Sequence, residues 1–178
     1  MTARALGIVF EKGPTRRYRS VLTRADGVEV ELEGGSWNAV GGPAREVPHD
    51  LAHLVVEEEL GLARGVWGVL AAGGLFRGAR VVGGRQKAHA AARAREVLAA
   101  SVEELNRAEV LTRMVADLAL ADRVDVGAAR AAAGERWWSE TVTRETLARS
   151  FTRLRAEGEA WAALAPGDTL ARTYTPLR

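Results

Sequence analysis

The sequence predicts an α+β fold in which an N-terminal antiparallel β-meander packs against four or five helices. Alternating apolar runs lie near the start of the chain, an Asp-Gly pair separates two of them, and helical periodicity dominates from residue 48 onwards. A further run, 169–175, follows a Pro-Gly-Asp turn and is predicted to be a strand that could join the N-terminal sheet. The 178 residues suit one compact unit, so we expect a single domain over 1–178.

Three strands are predicted in the first 34 residues. The run "ALGIVFEK" (5–12) is rich in residues that favour strands, and the turn "GPTRR" separates it from "YRSVLTRA". In "VLTRADGVEVELEG", Asp26 and Gly27 lie between two alternating runs, which is typical of a tight hairpin because Gly accepts a positive φ. The next segment, "GGSWNAVGGPAREVP" (34–48), has four glycines and two prolines and is predicted to be a loop.

Helices are predicted along most of the remaining chain. Pro48 and Gly61 suit the start and the end of a helix of about 13 residues. The segment 63–76 places Gly65, Gly68 and Ala72 on one helical side, although a buried strand is the alternative. Residues 85–99 have high helix propensity, and "SVEE" (101–104) predicts a capping box that starts another helix.

The last third of the chain is predicted to contain one short and one long helix. Residues 122–140 indicate a connection with room for the short helix. Thr143 suits the N-cap of the long helix, whose apolar positions keep helical spacing. These positions are Leu147, Phe151, Leu154, Gly158 and Trp161.

The composition excludes several classes of function. The chain has 25 basic and 23 acidic residues, and this small excess of positive charge argues against a nucleic-acid partner. Because there is no cysteine, any metal must be held by nitrogen and oxygen ligands. No run approaches the roughly 18 apolar residues of a membrane span, and the first residues lack a signal-peptide pattern, so we expect no membrane partner and a cytoplasmic location.

The helix predicted over 48–61 carries two of the three histidines four residues apart. On a helical wheel His49 and His53 lie about 40° apart, and Glu57 and Asp50 extend the same polar arc to about 100°. The other positions are mainly apolar, which predicts burial. Buried imidazoles and carboxylates are costly unless they satisfy one another or a ligand. The pattern therefore indicates a special site, or else a hydrogen-bonded group inside the core.

The segment "HDLAH" resembles the HExxH helix of zinc-dependent peptidases. His49 and His53 have the family's spacing, and Asp50 stands where the family has glutamate; the likeness covers five residues. It implies that both histidines bind a divalent metal, zinc above all, and that Asp50 acts as general base on the metal-bound water. The Asp side chain is one methylene shorter than Glu.

A metal site on this helix needs a third ligand from elsewhere. Glu57 follows His49 by about 12 Å along a straight helix, so the two cannot reach one ion. We therefore interpret Glu57 as a residue that supports catalysis by orienting His53. The remaining candidates for the third ligand are Glu46, just before the helix, and His89 on another helix.

Two tryptophans, Trp37 and Trp67, bracket this predicted site and could line an apolar ligand-binding pocket. The alternative is that they fill a core built otherwise from small alanines. No phosphate-binding loop and no GxSxG motif is present, which argues against a phosphate-binding loop protein and a serine hydrolase. From the polar arc on the apolar helix 48–60 we predict a small soluble enzyme, metal-dependent and hydrolytic, with a small-molecule or peptide substrate. The alternative function is a non-enzymatic ligand- or protein-binding regulator in which His49 and His53 are structural.

Overall fold

The computed structural model describes residues 6–34, 37–39 and 46–175. Over these residues the chain forms two sheets and six helices, so the predicted α+β class is confirmed, with one helix more than expected. The strands are β1 (Leu6–Lys12), β2 (Tyr18–Thr23), β3 (Glu29–Glu33), β4 (Trp37–Ala39), β5 (Glu46–Pro48), β6 (Ala79–Gly83) and β7 (Thr169–Tyr174). The helices are α1 (His49–Leu60), α2 (Val66–Ala71), α3 (Ala90–Ala99), α4 (Val102–Leu120), α5 (Val126–Ala133) and α6 (Arg144–Ala162).

The main sheet has five antiparallel strands in the order β6-β3-β2-β1-β7. The predicted meander supplies its centre, with Gly27 at a φ of 79° in the turn between β2 and β3. The predicted C-terminal strand joins β1, so that Leu6 lies opposite Tyr174. In β1 the buried residues Leu6, Ile8 and Phe10 alternate with exposed ones, so one face of the sheet packs on the core.

Two parts of the sheets differ from the sequence prediction. The glycine-rich segment 34–48 is not wholly a loop, because β4 and β5 pair within it and Trp37 lies opposite Pro48. Strand β6 was not expected, since its short run "ARVVG" is flanked by glycines that also suit a turn. It becomes a strand because it pairs with the free edge of β3.

The starts of α1, α4 and α6 are as predicted, whereas the helix predicted over 85–99 begins only at Ala90, and the one predicted over 63–76 covers only Val66–Ala71. Helix α1 begins after Pro48 and ends at Gly61, which has a left-handed φ of 70°. The segment after it forms a helix, α2, rather than a buried strand. Thr143 caps α6 in a capping box with Thr146. The capping box expected at Ser101 is wrong, because this N-cap residue makes no side-chain cap bond to α4.

Helix α1 lies at the centre of the molecule and packs against α2, α4 and α6. Its buried positions are mainly apolar, as the sequence predicted, but they also include His53 and Glu57, which are both 0% exposed. Three residues of the polar arc, His49, His53 and Glu57, meet polar groups of α4 and of the start of α2. Asp50, the fourth, meets β2.

Among the described residues, no helix is both long and apolar enough to cross a membrane.

Candidate metal centre

Two imidazoles stand together at the start of α1. His49 is the first residue of the helix and His53 lies one turn later, so their side chains project from the same side. Their ring centroids are 4.6 Å apart, and the ring planes meet at 62°. His53 is completely buried, whereas 36% of the His49 side chain is exposed. The pair therefore extends from the buried core, at His53, to the surface, at His49.

A carboxylate from α4 bridges the two rings. Glu109 Oε1 lies 3.1 Å from His49 Nε2, and Glu109 Oε2 lies 3.0 Å from His53 Nε2. One potential ligand atom from each of the three residues falls within 4.8 Å of the others. Because 58% of the Glu109 side chain is exposed, the group opens to solvent on this side.

The other nitrogen of His53 faces a second carboxylate. Glu57 Oε1 is 3.1 Å from His53 Nδ1, and the hydroxyl of Thr112 on α4 lies 3.4 Å from the same nitrogen. Glu57 also accepts the backbone N–H groups of Val66 at 2.6 Å and Trp67 at 3.1 Å, the first two residues of α2. One buried carboxylate therefore fixes both the ring of His53 and the start of the next helix.

These contacts shift the pKa values of the residues in the cluster. Asp50 and then Glu109 stabilise the imidazolium and raise the pKa of His49 to about 9. Burial alone would lower the pKa of His53, but hydrogen bonds to Glu109 and Glu57 outweigh it, and the pKa is raised. Hydrogen bonds from His49 and His53 hold the pKa of Glu109 well below its usual range. Since a carboxylate only accepts, both ring nitrogens of His53 donate in this hydrogen-bonded form.

Asp50 lies beside the cluster, on the side of the sheet. Its Oδ2 accepts a hydrogen bond from Ser20 Oγ at 2.5 Å, and its Oδ1 is 3.8 Å from His49 Nδ1. The Asp50 backbone N–H donates to the Tyr18 hydroxyl at 3.2 Å, and burial, followed by the charge of Asp50, raises the pKa of Tyr18. Asp50 is thus held by β2 next to His49, although the three converging ligand atoms do not include its own.

A pocket of about 310 Å³ opens beside His49, Asp50 and Glu109. Its volume lies at the lower end of the range of about 300–1,000 Å³ that is typical of small-molecule sites. Leu32, Phe76 and other apolar side chains form part of its wall. The exposed side of the histidine cluster therefore faces a space that a small molecule could enter.

The other residues predicted for the site lie elsewhere. Glu46, the predicted third ligand, forms an ion pair with Arg16 and is not one of the three residues whose ligand atoms converge.

His89 and the tryptophans also fall outside the cluster. His89 is exposed at the N-cap of α3. Trp67 is fully buried, packs edge-to-face on Phe10 at 5.8 Å and donates its indole N–H to the Asp50 carbonyl, so it is a core residue that does not line the pocket. The Trp37 side chain lies outside the described part of the structure.

Sequence reasoning missed Glu109 and Thr112. Both lie on α4, and Thr112 is 1% exposed although its side chain is polar. The only local signal is the interruption of an apolar stripe by polar residues three positions apart, which is common on helix surfaces. Because His49 and Glu109 are 60 residues apart in sequence, no spacing rule could connect them.

Comparison with protein-family models, with curated proteins and with solved structures yields no match for this chain.

Proposed function

We propose that this protein is a metal-dependent hydrolase in which His49, His53 and Glu109 bind a divalent ion. The observation that carries the proposal is the convergence of two imidazoles and one carboxylate within 4.8 Å. Two nitrogens and one oxygen are a common ligand set of catalytic zinc, which keeps a fourth position for water or substrate. Glu109 takes the place for which the sequence suggested Glu46 or His89.

The spacing and surroundings of the three residues support zinc. Donor atoms around a tetrahedral zinc ion stand roughly 3.3 Å apart, and one ligand atom from each of the three residues lies within 4.8 Å of the others. Glu109 now uses one oxygen for each histidine, so a small shift of this exposed side chain would accompany binding of the ion. Metal-binding histidines usually donate their second ring N–H to a carboxylate or carbonyl, as His53 does to Glu57. The ion would replace the protons on the two Nε2 atoms, so its affinity should rise with pH.

The position of the pocket supports hydrolysis. A zinc ion held here would lower the pKa of a bound water to about 7. Asp50 lines the same pocket and, as an anion next to His49, is the residue that we assign to proton transfer from that water. Glu57 is fully buried and bonds to His53 and to the backbone N–H of Val66, so we assign it the role of positioning His53 rather than that of a base.

Metal analysis tests the proposal. Protein purified without an affinity tag and dialysed against zinc should hold about one ion per chain. The double variant His49→Ala/His53→Ala should hold none. Because His53 is buried, Glu109→Gln provides a second test: this side chain is largely exposed, so the variant should fold and bind zinc at least tenfold more weakly. His89→Asn is the matched control, since Asn tolerates the left-handed φ of 62° at this exposed site.

A structural role is the alternative, and one observation favours it. Glu109 already bonds to both histidines, so the cluster can join α1 to α4 without an ion. The protein would then be a non-enzymatic binding or regulatory protein. In that case the wild type retains no zinc after dialysis, and the double variant loses stability without losing an ion.

A further inference from the structure

The pocket beside the proposed metal site carries an arginine on a rigid turn. Residues 76–79 form a turn closed by a hydrogen bond from Ala79 N–H to the Phe76 carbonyl at 2.9 Å. Gly78 has a φ of 91°, the conformation that a type II turn requires at its third residue. The Gly78 carbonyl accepts the backbone N–H of Glu33 at 3.2 Å, which ties the turn to β3. The turn thus fixes the backbone of Arg77 at the pocket wall.

Three polar side chains on this wall have no partner in the part of the protein that the structure describes. Arg77, Glu33 and Asn106 all line the pocket and are exposed, and none forms a side-chain hydrogen bond or ion pair with another described residue. Arg77 and Glu33 are not paired with each other, although their backbones are neighbours. Many other charged groups of the protein do form pairs, such as Glu31 with Arg80. Besides His49, Asp50 and Glu109, which are already paired, the pocket therefore presents one cation, one anion and one amide that are free to bind a ligand.

The rest of the wall suits an apolar group. Leu32 is buried, and Val66, Phe76 and Leu105 are half-buried around the same space. Guanidinium groups match carboxylates with two parallel hydrogen bonds, and a carboxylate accepts strongly from an ammonium group. A molecule complementary to this pocket therefore has a carboxylate, an ammonium group and an apolar side chain within a small volume.

We infer that the pocket binds a dipeptide, with its carboxylate on Arg77, its ammonium group on Glu33 and its apolar side chain against Phe76 and Leu105. An extended dipeptide spans about 7 Å, which suits a pocket of about 310 Å³. Asn106 is then available to hydrogen-bond the peptide group. The same pocket is bordered by His49 and Glu109, so a peptide bond held here would lie near the proposed ion.

The inference rests on the proposed function for its chemical step. Water adds to the peptide carbonyl carbon, the C–N bond breaks, and the proton released by the water passes to the leaving nitrogen. The products are two amino acids, so atoms balance with water as the only co-reactant. The recognition step itself needs only Arg77, Glu33 and the apolar wall, and it can be measured separately.

Calorimetry with three probes tests the recognition step. Glycyl-leucine has both charges, N-acetyl-glycyl-leucine lacks the ammonium group, and glycyl-leucinamide lacks the carboxylate. We expect Arg77→Ala to lower the affinity for glycyl-leucine and for its acetylated form about tenfold, and to leave the affinity for the amide unchanged. Glu33→Gln should lower the affinity for glycyl-leucine and for the amide by a similar factor, and leave the affinity for the acetylated form unchanged. Arg95→Ala, an exposed arginine of α3 outside the pocket, is the matched control.

The outcomes separate this inference from the proposed function. If wild-type protein binds none of the probes at millimolar concentration, or if the two variants keep the wild-type preference, dipeptide recognition is overturned even where zinc binds. If glycyl-leucine binds through Arg77 and Glu33, recognition is supported. Release of leucine by the zinc-loaded protein then supports the proposed hydrolysis, and its absence counts against the hydrolysis alone.

Discussion

Glu57 is the side chain on which the local structure depends most. A buried carboxylate is costly unless several donors satisfy it, and Glu57 receives three, from His53, Val66 and Trp67. Gly65, the residue before α2, makes this possible, because a Cβ at Gly65 would collide with the Glu57 carboxylate. The absence of a side chain at one position thus lets the acid reach two backbone N–H groups.

Replacing Gly65 by alanine should therefore destabilise the protein. Its φ of −74° is ordinary for any residue, so the cost comes from the collision with Glu57 alone. We expect a loss of about 1–3 kcal/mol in the free energy of unfolding, measured by urea denaturation. Gly7→Ala is the control, because a Cβ there meets nothing within 4 Å. Equal denaturation midpoints for the two variants would show that Glu57 can move away at little cost.

The same side chains show what the sequence could predict of the site. The pairing of His53 with Glu57 follows from four-residue spacing, which puts both on one face of a helix. Glu109 could not be predicted, because its place next to the histidines depends on how α4 packs against α1. Glu46 was a reasonable candidate by proximity in sequence, but the turn from β5 into α1 leaves it beside Arg16.

Helix boundaries were predictable where the backbone could adopt the capping geometry. Thr143 has extended angles, φ −110° and ψ 168°, and its hydroxyl reaches the N–H of Thr146. Ser101 is followed three residues later by Glu104, the usual capping-box partner, but the ψ of Ser101 is 5° and its N–H already donates to Leu98 at the end of α3. The direct passage from α3 into α4 overrides the local preference. Such junctions depend on tertiary packing, which a local motif does not encode.

Helices α1 and α6 are joined by an ion-pair group with a predictable pH dependence. Glu59 accepts hydrogen bonds from Arg149 and Arg153, both at 2.9 Å. Partial burial tends to raise the pKa of Glu59, but the two arginines outweigh it, and the pKa is lowered from 4.5. Since the folded-state pKa is the lower one, these contacts stabilise the protein above about pH 4.5, and the stabilisation is lost as the pH falls through the folded-state value.

We expect Glu59→Gln to reduce the free energy of unfolding by about 1 kcal/mol at pH 7. The difference from wild type should shrink steadily below pH 4.5, since the wild-type carboxylate is then protonated as well. Urea denaturation of both proteins at a series of pH values measures this difference in the free energy of unfolding. Glu145→Gln serves as control, because Glu145 is 81% exposed and its pair with Arg149 should contribute little. A difference independent of pH would mean that packing, not charge, is responsible.

The sheet brings the two ends of the described chain together. Strand β7 pairs with β1, the first strand, and Tyr174 at its end is buried in the core that also holds Leu6. The meander was predictable from local alternation and an Asp-Gly turn, whereas the placement of β6 and β7 at opposite edges of the sheet depends on which strands have free edges. The order of the strands is therefore a property of the whole chain.

Tyr174 offers a test of how β7 holds the fold. Its ring is 1% exposed, but its hydroxyl has no hydrogen-bond partner among the described residues. Burial and then the charges of Glu57 and Glu58 raise its pKa, so the hydroxyl stays neutral. Tyr174→Phe removes an unsatisfied polar group and should raise the free energy of unfolding by up to about 1 kcal/mol.

Tyr174→Ala should instead lower the free energy of unfolding by about 3–5 kcal/mol, because it leaves a cavity between β7 and the helices. Thermal and urea denaturation measure both variants. A loss of stability in Tyr174→Phe would mean that the hydroxyl is hydrogen-bonded, and a small effect of Tyr174→Ala would mean that β7 adds little to the core. If both expectations hold, β7 stabilises the fold by burying a ring against the core, and the described part of the chain depends on residues near both of its ends.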